Sequence, residues 1–320
     1  MNDDMTFDGW VRMNEPLHQH TTLKVGGSAD WFAEPRDETE LLQALGADEL
    51  PIILGGGSNV LIANDGIRGV VLNPHLVNQE ILREPQADGS ELWTVGAGVT
   101  TVALVRRAIE AGLKGAEVLA GVPGSVGGAV FMNAGGHDGE IKDSAEAVRI
   151  ADPKGARWIT AQEAGFAYRR SNFPIGTVVV AVRLRLQPTD KAALAAYVKN
   201  HMKRRQETQP LRWPNAGSFF KNPSGEFAGR LIEACGLKGF RIGSAEVSAM
   251  HANFLVRALD DGEERTKGSS EDFVNLIAHV RHKVWDRFSQ WLELEVRPLG
   301  DFSKMELTML NEQAPARVGQ

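Results

Sequence analysis

The sequence predicts an α+β fold, and three features predict it. Short apolar runs punctuated by glycine, Trp31-Phe32-Ala33 and Ile52-Ile53-Leu54, read as strands joined by tight turns. Val178, Val180, Val182, Leu184 and Leu186 alternate with Arg183 and Arg185 near their end, the period of a half-buried strand. Phe273, Leu276, Ile277, Val280, Val284 and Phe288 recur at helical spacing and give one apolar face. These elements do not alternate strand by helix as a doubly wound parallel sheet requires.

The elements follow in order. A first segment runs from His20 to about Asn73, with a helix from near Thr39 carrying Leu41, Leu42 and Leu45. A second opens with a strand at Leu92–Val95. Thr100 or Thr101 then caps a helix bearing Val102, Val105, Ala108 and Ile109, which Gly112 stops. The strand through Leu186 ends at Pro188, and a helix over Lys191–Arg205 connects onward. The third segment starts at the Pro210–Pro214 break. It is expected to hold a helix at Phe227–Cys235 closed by Gly236, a strand at Ala252–Val256 and a turn at Asp260-Asp261-Gly262. Ser269 and Asp272 have the spacing of a capping box for the long helix. A last strand is expected at Leu292–Arg297, then a polar tail from Ser303 to Gln320 without order.

Composition narrows the classes. The chain has 320 residues, 42% hydrophobic and 24% charged, which fits two or three globular domains. A net charge of -6 and no long basic run give no reason to expect a nucleic-acid partner; the nearest cluster is Lys203, Arg204 and Arg205. Cys235 is the only cysteine, so no disulfide can form within the chain and no cysteine-rich metal site exists. Met1 to Trp10 is polar and acidic, unlike a secretory leader, and no apolar run approaches the ~18 residues of a membrane span. A cytoplasmic protein is expected.

Two glycine-rich loops carry the first functional signal. Ile52-Ile53-Leu54 runs into Gly55, Gly56, Gly57, Ser58 and Asn59. Glycines let backbone N–H groups converge on an anion, and the two polar side chains add hydrogen bonds, which suits a pyrophosphate. Alone, this loop reads rather as a tight strand-to-strand turn. The second loop is Gly121-Val122-Pro123-Gly124-Ser125-Val126-Gly127-Gly128-Ala129, leading to Asn133-Ala134-Gly135-Gly136. A packed core has little use for so many missing side chains; a large flat ligand pressed on backbone does. No Walker ending is present. The nearest Rossmann match, Gly96-x-Gly98-x-x-Thr101, lacks the third glycine. A dinucleotide held by another fold is left, FAD foremost.

Six motifs then form a pattern. Thr21-Thr22-Leu23-Lys24-Val25-Gly26-Gly27, the two glycine loops, Tyr168-Arg169-Arg170-Ser171, Asn215-Ala216-Gly217-Ser218-Phe219-Phe220-Lys221-Asn222-Pro223, and Glu295-Val296-Arg297 with Gly300 follow one another along the chain. Together they resemble the UDP-N-acetylenolpyruvoylglucosamine reductase family over nearly the whole length, Leu17 to Gly300. The short stretch between Ser171 and Asn215 is similar to the family's second type, which lacks a tyrosine-bearing substrate loop. Arg212-Trp213-Pro214 is bulkier than the pattern leads one to expect. The resemblance implies a two-subdomain FAD-binding fold of the PCMH or vanillyl-alcohol-oxidase type, followed by a C-terminal α+β substrate domain. Placed on this chain, that gives residues 1–75 and 76–209 to FAD, 210–300 to substrate and 301–320 to the tail. It implies FAD held by Gly55, Gly56, Gly57, Ser58, Asn59, Gly121, Pro123, Gly124, Ser125, Gly127, Gly128 and Ala129. It also implies NADPH as reductant, an enolpyruvyl UDP-N-acetylglucosamine substrate, a place in peptidoglycan synthesis, and a monomer or weak dimer without metal.

Reducing an enol ether beside a carboxylate is a conjugate addition. Charge builds on the carboxylate as hydride arrives at the terminal carbon, and a proton must follow at the adjacent carbon. The resemblance assigns the cation to Arg169, the proton donor to Ser218 and an assisting carboxylate to Glu295; Tyr168, Lys221 and Asn222 are expected to touch substrate. Arg241 and His251 are weaker candidates. A non-catalytic nucleotide-sugar module and a flavin oxidase acting on a sugar or lactone are the competing readings; neither needs Arg169, Ser218 and Glu295 together. His279 and His282, three apart on the long helix, lack the glutamate and spacing of a zinc site and read as structural. Cys235 reads as inert.

Overall fold

The computed structural model describes residues 9–136, 138–258 and 268–315, so the expected Asp260-Asp261-Gly262 turn lies outside the described residues. The chain forms two compact units. The first comprises the chain up to Asn14, Asp30–Gly56 and Gly69–Arg205; the second comprises Glu15–Ala29, Gly57–Arg68 and the chain from Gln206 onward. Helices and largely antiparallel sheets mix in both, the α+β class the pattern predicts.

In the first unit, helix α1 spans Glu38–Leu45, one residue from the expected start, because Asp37 accepts from the Glu40 amide as N-cap. Ile52–Ile53 pairs in parallel with Ile67–Leu72 and delivers the chain to the first glycine loop. The main sheet orders its strands Gly155–Thr160, Ala145–Asp152, Val178–Pro188, Glu91–Gly96 and Ile81–Pro85, all antiparallel. Val178–Pro188 is its central strand, and Val178 to Val182 are all buried, so only the half from Arg183 on shows strict alternation. Helix α2, Thr101–Ala111, starts on a Thr100 side-chain cap and stops at Gly112 in the left-handed region. The second glycine loop contains a short helix α3, Val126–Phe131, capped by Ser125. Helix α4 spans Lys191–Thr208. The core of this unit holds Trp93, Leu104, Val126, Val148, Val182 and Leu184.

In the second unit a four-stranded sheet orders Asn215–Ser218, Phe254–Arg257, Ala245–Val247 and Arg241–Ile242. Helix α5 is Ala228–Ala234, and Gly236 follows at φ +72, the conformation a C-terminal glycine permits. Helix α6, Ser270–Phe288, buries the predicted stripe from Phe273 to Val284. Its expected capping box does not form. Ser269 Oγ accepts from Asn64 Nδ2, and Asp272 instead accepts from the amide and hydroxyl of Ser244. The last strand is Arg297–Leu299, parallel to Val60–Ile62, so Leu292–Val296 is extended chain tied by single bonds rather than the expected strand.

The tail is also corrected. Ser303 and Glu306 form a reciprocal capping box that opens helix α7, Lys304–Asn311. Phe302 and Leu310 join the core of this unit. Buried Arg281 of α6 donates to the carbonyls of Met309 and Leu310 at 3.1 and 3.0 Å, and to Leu292 at 3.0 Å. No helix among the described residues is long and apolar enough to cross a membrane.

Candidate active site and cofactor cradle

The two glycine loops meet within the first unit. A Cβ on Gly56 would stand 2.7 Å from the Gly124 Cα, and one on Gly127 would stand 2.8 Å from the Ala97 Cβ. Only glycine allows those approaches. The neighbouring positions face the other way. A Cβ on Gly55 would find nothing nearer than Ser125 Oγ at 3.7 Å, and Gly128 has the same hydroxyl as its nearest neighbour, also at 3.7 Å. Gly55 and Gly128 therefore present bare backbone beside the Ser125 hydroxyl, without the close packing that Gly56 and Gly127 show. Such bare backbone beside a hydroxyl has the chemistry to take a flat dinucleotide, and these residues fit FAD. Gly57, Ser58 and Asn59 belong to the second unit, where a Cβ on Gly57 would meet the His20 carbonyl and the Thr22 amide donates to the Gly57 carbonyl. The discounted Rossmann loop is filled by its own chain: Gly96 abuts Asn78 and Gly98 abuts the carbonyls of His75 and Asn78, leaving no room for phosphate.

Arg169 occupies the tip of a two-residue turn closed by reciprocal backbone bonds of Ala167 and Arg170, at φ +56. Its guanidinium donates to the Gly135 carbonyl at 3.1 Å, lies 3.6 Å from Glu140 Oε1 and rests over the Tyr168 ring at 4.9 Å. Its side chain is only 18% exposed, whereas Arg170 is exposed. Tyr168 is exposed beside it.

Ser218 and Glu295 come together in the second unit. The Glu295 amide donates to the carbonyl of Phe219, the residue after Ser218, at 2.9 Å. Asn59 Nδ2 donates to the Glu295 carbonyl at 3.1 Å, and the Arg297 amide to the Asn59 carbonyl at 3.0 Å, so the first glycine loop also fixes the glutamate's backbone. Ser218 is half-buried. Phe219 and Phe220 are wholly buried in the core, with Phe219 stacked on Phe273 at 5.8 Å. Lys221 Nζ lies 3.2 Å from Glu293, and Asn222 accepts from the Ala228 amide at the start of α5. Arg241 donates to the Gly243 carbonyl. His251 is packed against Phe254, and burial pushes its pKa down.

Sequence reasoning missed Asn253. Its side chain accepts from the Phe220 amide at 3.0 Å and donates to the Phe220 carbonyl at 2.8 Å, while its own carbonyl takes the Phe219 amide at 2.9 Å. It holds the strand that presents Ser218. An asparagine inside an apolar strand pattern was the available signal. Asn133 was quoted only as part of a glycine-rich run; it is fully buried at φ +44 and bonds Glu140 and the Ala167 carbonyl.

Fold and cradle define a flavin-binding protein with a separate C-terminal module: residues 29–160 match the profile of the FAD binding domain, and residues 209–299 match the C-terminal domain of UDP-N-acetylenolpyruvoylglucosamine reductase. The chain belongs to the UDP-N-acetylenolpyruvoylglucosamine reductase family. A reductase of that name from Anaeromyxobacter dehalogenans is 41% identical over 308 residues, covering 95% of this chain and 90% of that protein. One from Symbiobacterium thermophilum is 41% identical over 298 residues, covering 91% and 93%. The crystal structure of the Thermus caldophilus enzyme is 36% identical, covers 90% of this chain and 97% of its own, and superposes with a TM-score of 0.72.

Proposed function

We propose that Arg169, Ser218 and Glu295 carry the chemistry of an FAD-dependent reductase that uses NADPH to convert the enolpyruvyl group of UDP-N-acetylglucosamine enolpyruvate to UDP-N-acetylmuramate. The backbone bond from the Glu295 amide to the carbonyl of Phe219, the residue after Ser218, is the observation that supports it most. FAD bound to this chain would supply the hydride chemistry between NADPH and the terminal enolpyruvyl carbon. Gly55, Gly56, Gly124, Ser125, Gly127 and Gly128 would hold it, Ser125 by its hydroxyl and the glycines by leaving backbone bare.

Arg169 offers a planar, permanent cation to the carboxylate on which charge accumulates. Ser218 delivers the proton to the adjacent carbon. A serine hydroxyl is a weak acid, and the role is chemically reasonable because the enolate carbon is strongly basic. Glu295 stabilises or helps protonate the same intermediate. Lys221 and Asn222 contact the diphosphate, and Tyr168 the sugar nucleotide. The finer division, residues 1–75 and 76–209 for FAD and 210–300 for substrate, is part of this reading, as are a cytoplasmic location and a monomer or weak dimer.

The half-reactions test it. The purified protein is yellow, NADPH bleaches it, and the enolpyruvyl UDP-sugar restores the colour without oxygen. In Ser218→Ala, bleaching by NADPH proceeds as before while anaerobic reoxidation slows at least ~10²-fold, the scale of a lost general acid. Equal damage to both half-reactions would remove Ser218 from the proton-donor role.

A further inference from the structure

The cluster around Arg169 contains a carboxylate that the proposed chemistry does not use. Glu140 ends the short strand Gly139–Glu140, which pairs with Gly135–Gly136. Its side chain is 15% exposed. One oxygen, Oε2, takes Asn133 Nδ2 at 2.8 Å and Lys142 Nζ at 2.7 Å. The other, Oε1, faces Arg169 Nη1 at 3.6 Å. The arrangement is braced from all sides. Asn133 also donates to the Ala167 carbonyl at 2.9 Å, at the base of the Tyr168-Arg169 turn, and accepts from the Lys142 amide at 3.2 Å. Ser171 Oγ bonds the Phe131 carbonyl at 2.6 Å on the other side of the turn.

An arginine that must receive a substrate carboxylate cannot be consumed by a protein carboxylate in a bidentate pair. Here the carboxylate keeps its distance, because Asn133 and Lys142 hold its other oxygen and the Asp143 amide also donates to its side chain. It supplies orientation to the guanidinium through one weak ion pair, while the Gly135 carbonyl fixes a second nitrogen at 3.1 Å. We propose that Glu140, locked by buried Asn133 and by Lys142, is a positioning residue that sets the orientation of Arg169 for the substrate carboxylate. The inference rests on the role given to Arg169 above.

The charge and the orientation have opposite signs, which makes the role measurable. Glu140→Gln removes a negative charge from the neighbourhood of an anionic substrate, so the apparent affinity for the enolpyruvyl UDP-sugar is unchanged or tighter. The ion pair is lost with it, so the limiting rate of anaerobic reoxidation falls up to ~10²-fold, the scale of a reacting group misplaced by an ångström. Flavin content and the rate of reduction by NADPH stay at the parent level. Glu140→Asp restores the charge at a greater distance and recovers part of the rate. Arg169→Ala and the double variant Arg169→Ala/Glu140→Gln reoxidise equally slowly, because Glu140 acts only through Arg169.

Additive losses in the double variant would overturn the positioning role, as would flavin loss from both Glu140 variants, which would make the residue structural. An unchanged reoxidation rate in Arg169→Ala would instead overturn the catalytic reading of Arg169, and the inference with it.

Discussion

At the scale of the residue, the molecule places the groups proposed to react by backbone bonds made to their neighbours. Ser218 owes its position to Phe219 and Phe220, and these owe theirs to Asn253, whose side chain satisfies both backbone groups of Phe220 in the core. Asn253→Ala leaves a buried donor and a buried acceptor unpaired, at about 1–3 kcal/mol each. We expect a loss of about 2–5 kcal/mol in denaturant unfolding of the flavin-bound protein. A loss below about 1 kcal/mol would mean that the Phe220 groups find water or another partner. The residues themselves were legible unevenly. The motif favours Arg169 over Arg170; the structure adds that Arg169 stands at φ +56 with its side chain 18% exposed, while Arg170 is exposed. Glu140 and Asn253 were not legible, because a carboxylate or an amide announces a network only when its partners, distant in the chain, are known.

At the scale of the element, helix ends and glycines were the readable signals. Thr100 and Gly112 bound α2 as predicted, because a cap and a left-handed glycine act locally. The capping box at Ser269 failed because Asn64 and Ser244, far along the chain, claimed both of its side chains. Helix α7 escaped notice because its burial rests on two residues, Phe302 and Leu310, and on Arg281 reaching its last carbonyls. The glycine loops separate two uses of a missing side chain. Gly56→Ala forces a Cβ to 2.7 Å from backbone, so the flavin-free protein melts lower and the cradle deforms. Gly128→Ala meets only Ser125 Oγ at 3.7 Å, so the flavin-free protein melts as before, yet the new methyl stands on the surface assigned to FAD. Flavin affinity, measured by reconstitution of the stripped proteins, falls at least ~10-fold, about 1.4 kcal/mol, in both variants. If Gly128→Ala binds flavin as tightly as the parent, that surface is not where the cofactor lies.

At the scale of the whole molecule, the α+β class and the family were legible because six motifs are spread over nearly the full chain, while the interleaving of the two units was not, since Glu15–Ala29 and Gly57–Arg68 carry no mark of the unit they join. Both units share one electrostatic trait. His201 in the first, and His251 and His279 in the second, all have pKa values pushed below the ordinary 6.5, in each case chiefly by burial. For His201 the Arg205 cation adds to the effect, and for His279 Lys283 does. A histidine whose folded pKa is lowered stays neutral in the native state while the unfolded chain takes up its proton. The unfolded state then binds more protons below pH ~6.5, so stability is full above that value and declines as pH falls through it. The effect is largest for the more buried His251 and smaller for His201 and His279, where solvent screens it. The melting temperature of the flavin-bound protein should therefore drop between pH 7.5 and 5.5. The double variant His251→Gln/His279→Phe, which keeps a ring against Phe240 but removes both titrations, should flatten that decline. A slope identical to the parent's would show that these histidines titrate alike in the folded and unfolded chains, and that acid sensitivity arises elsewhere.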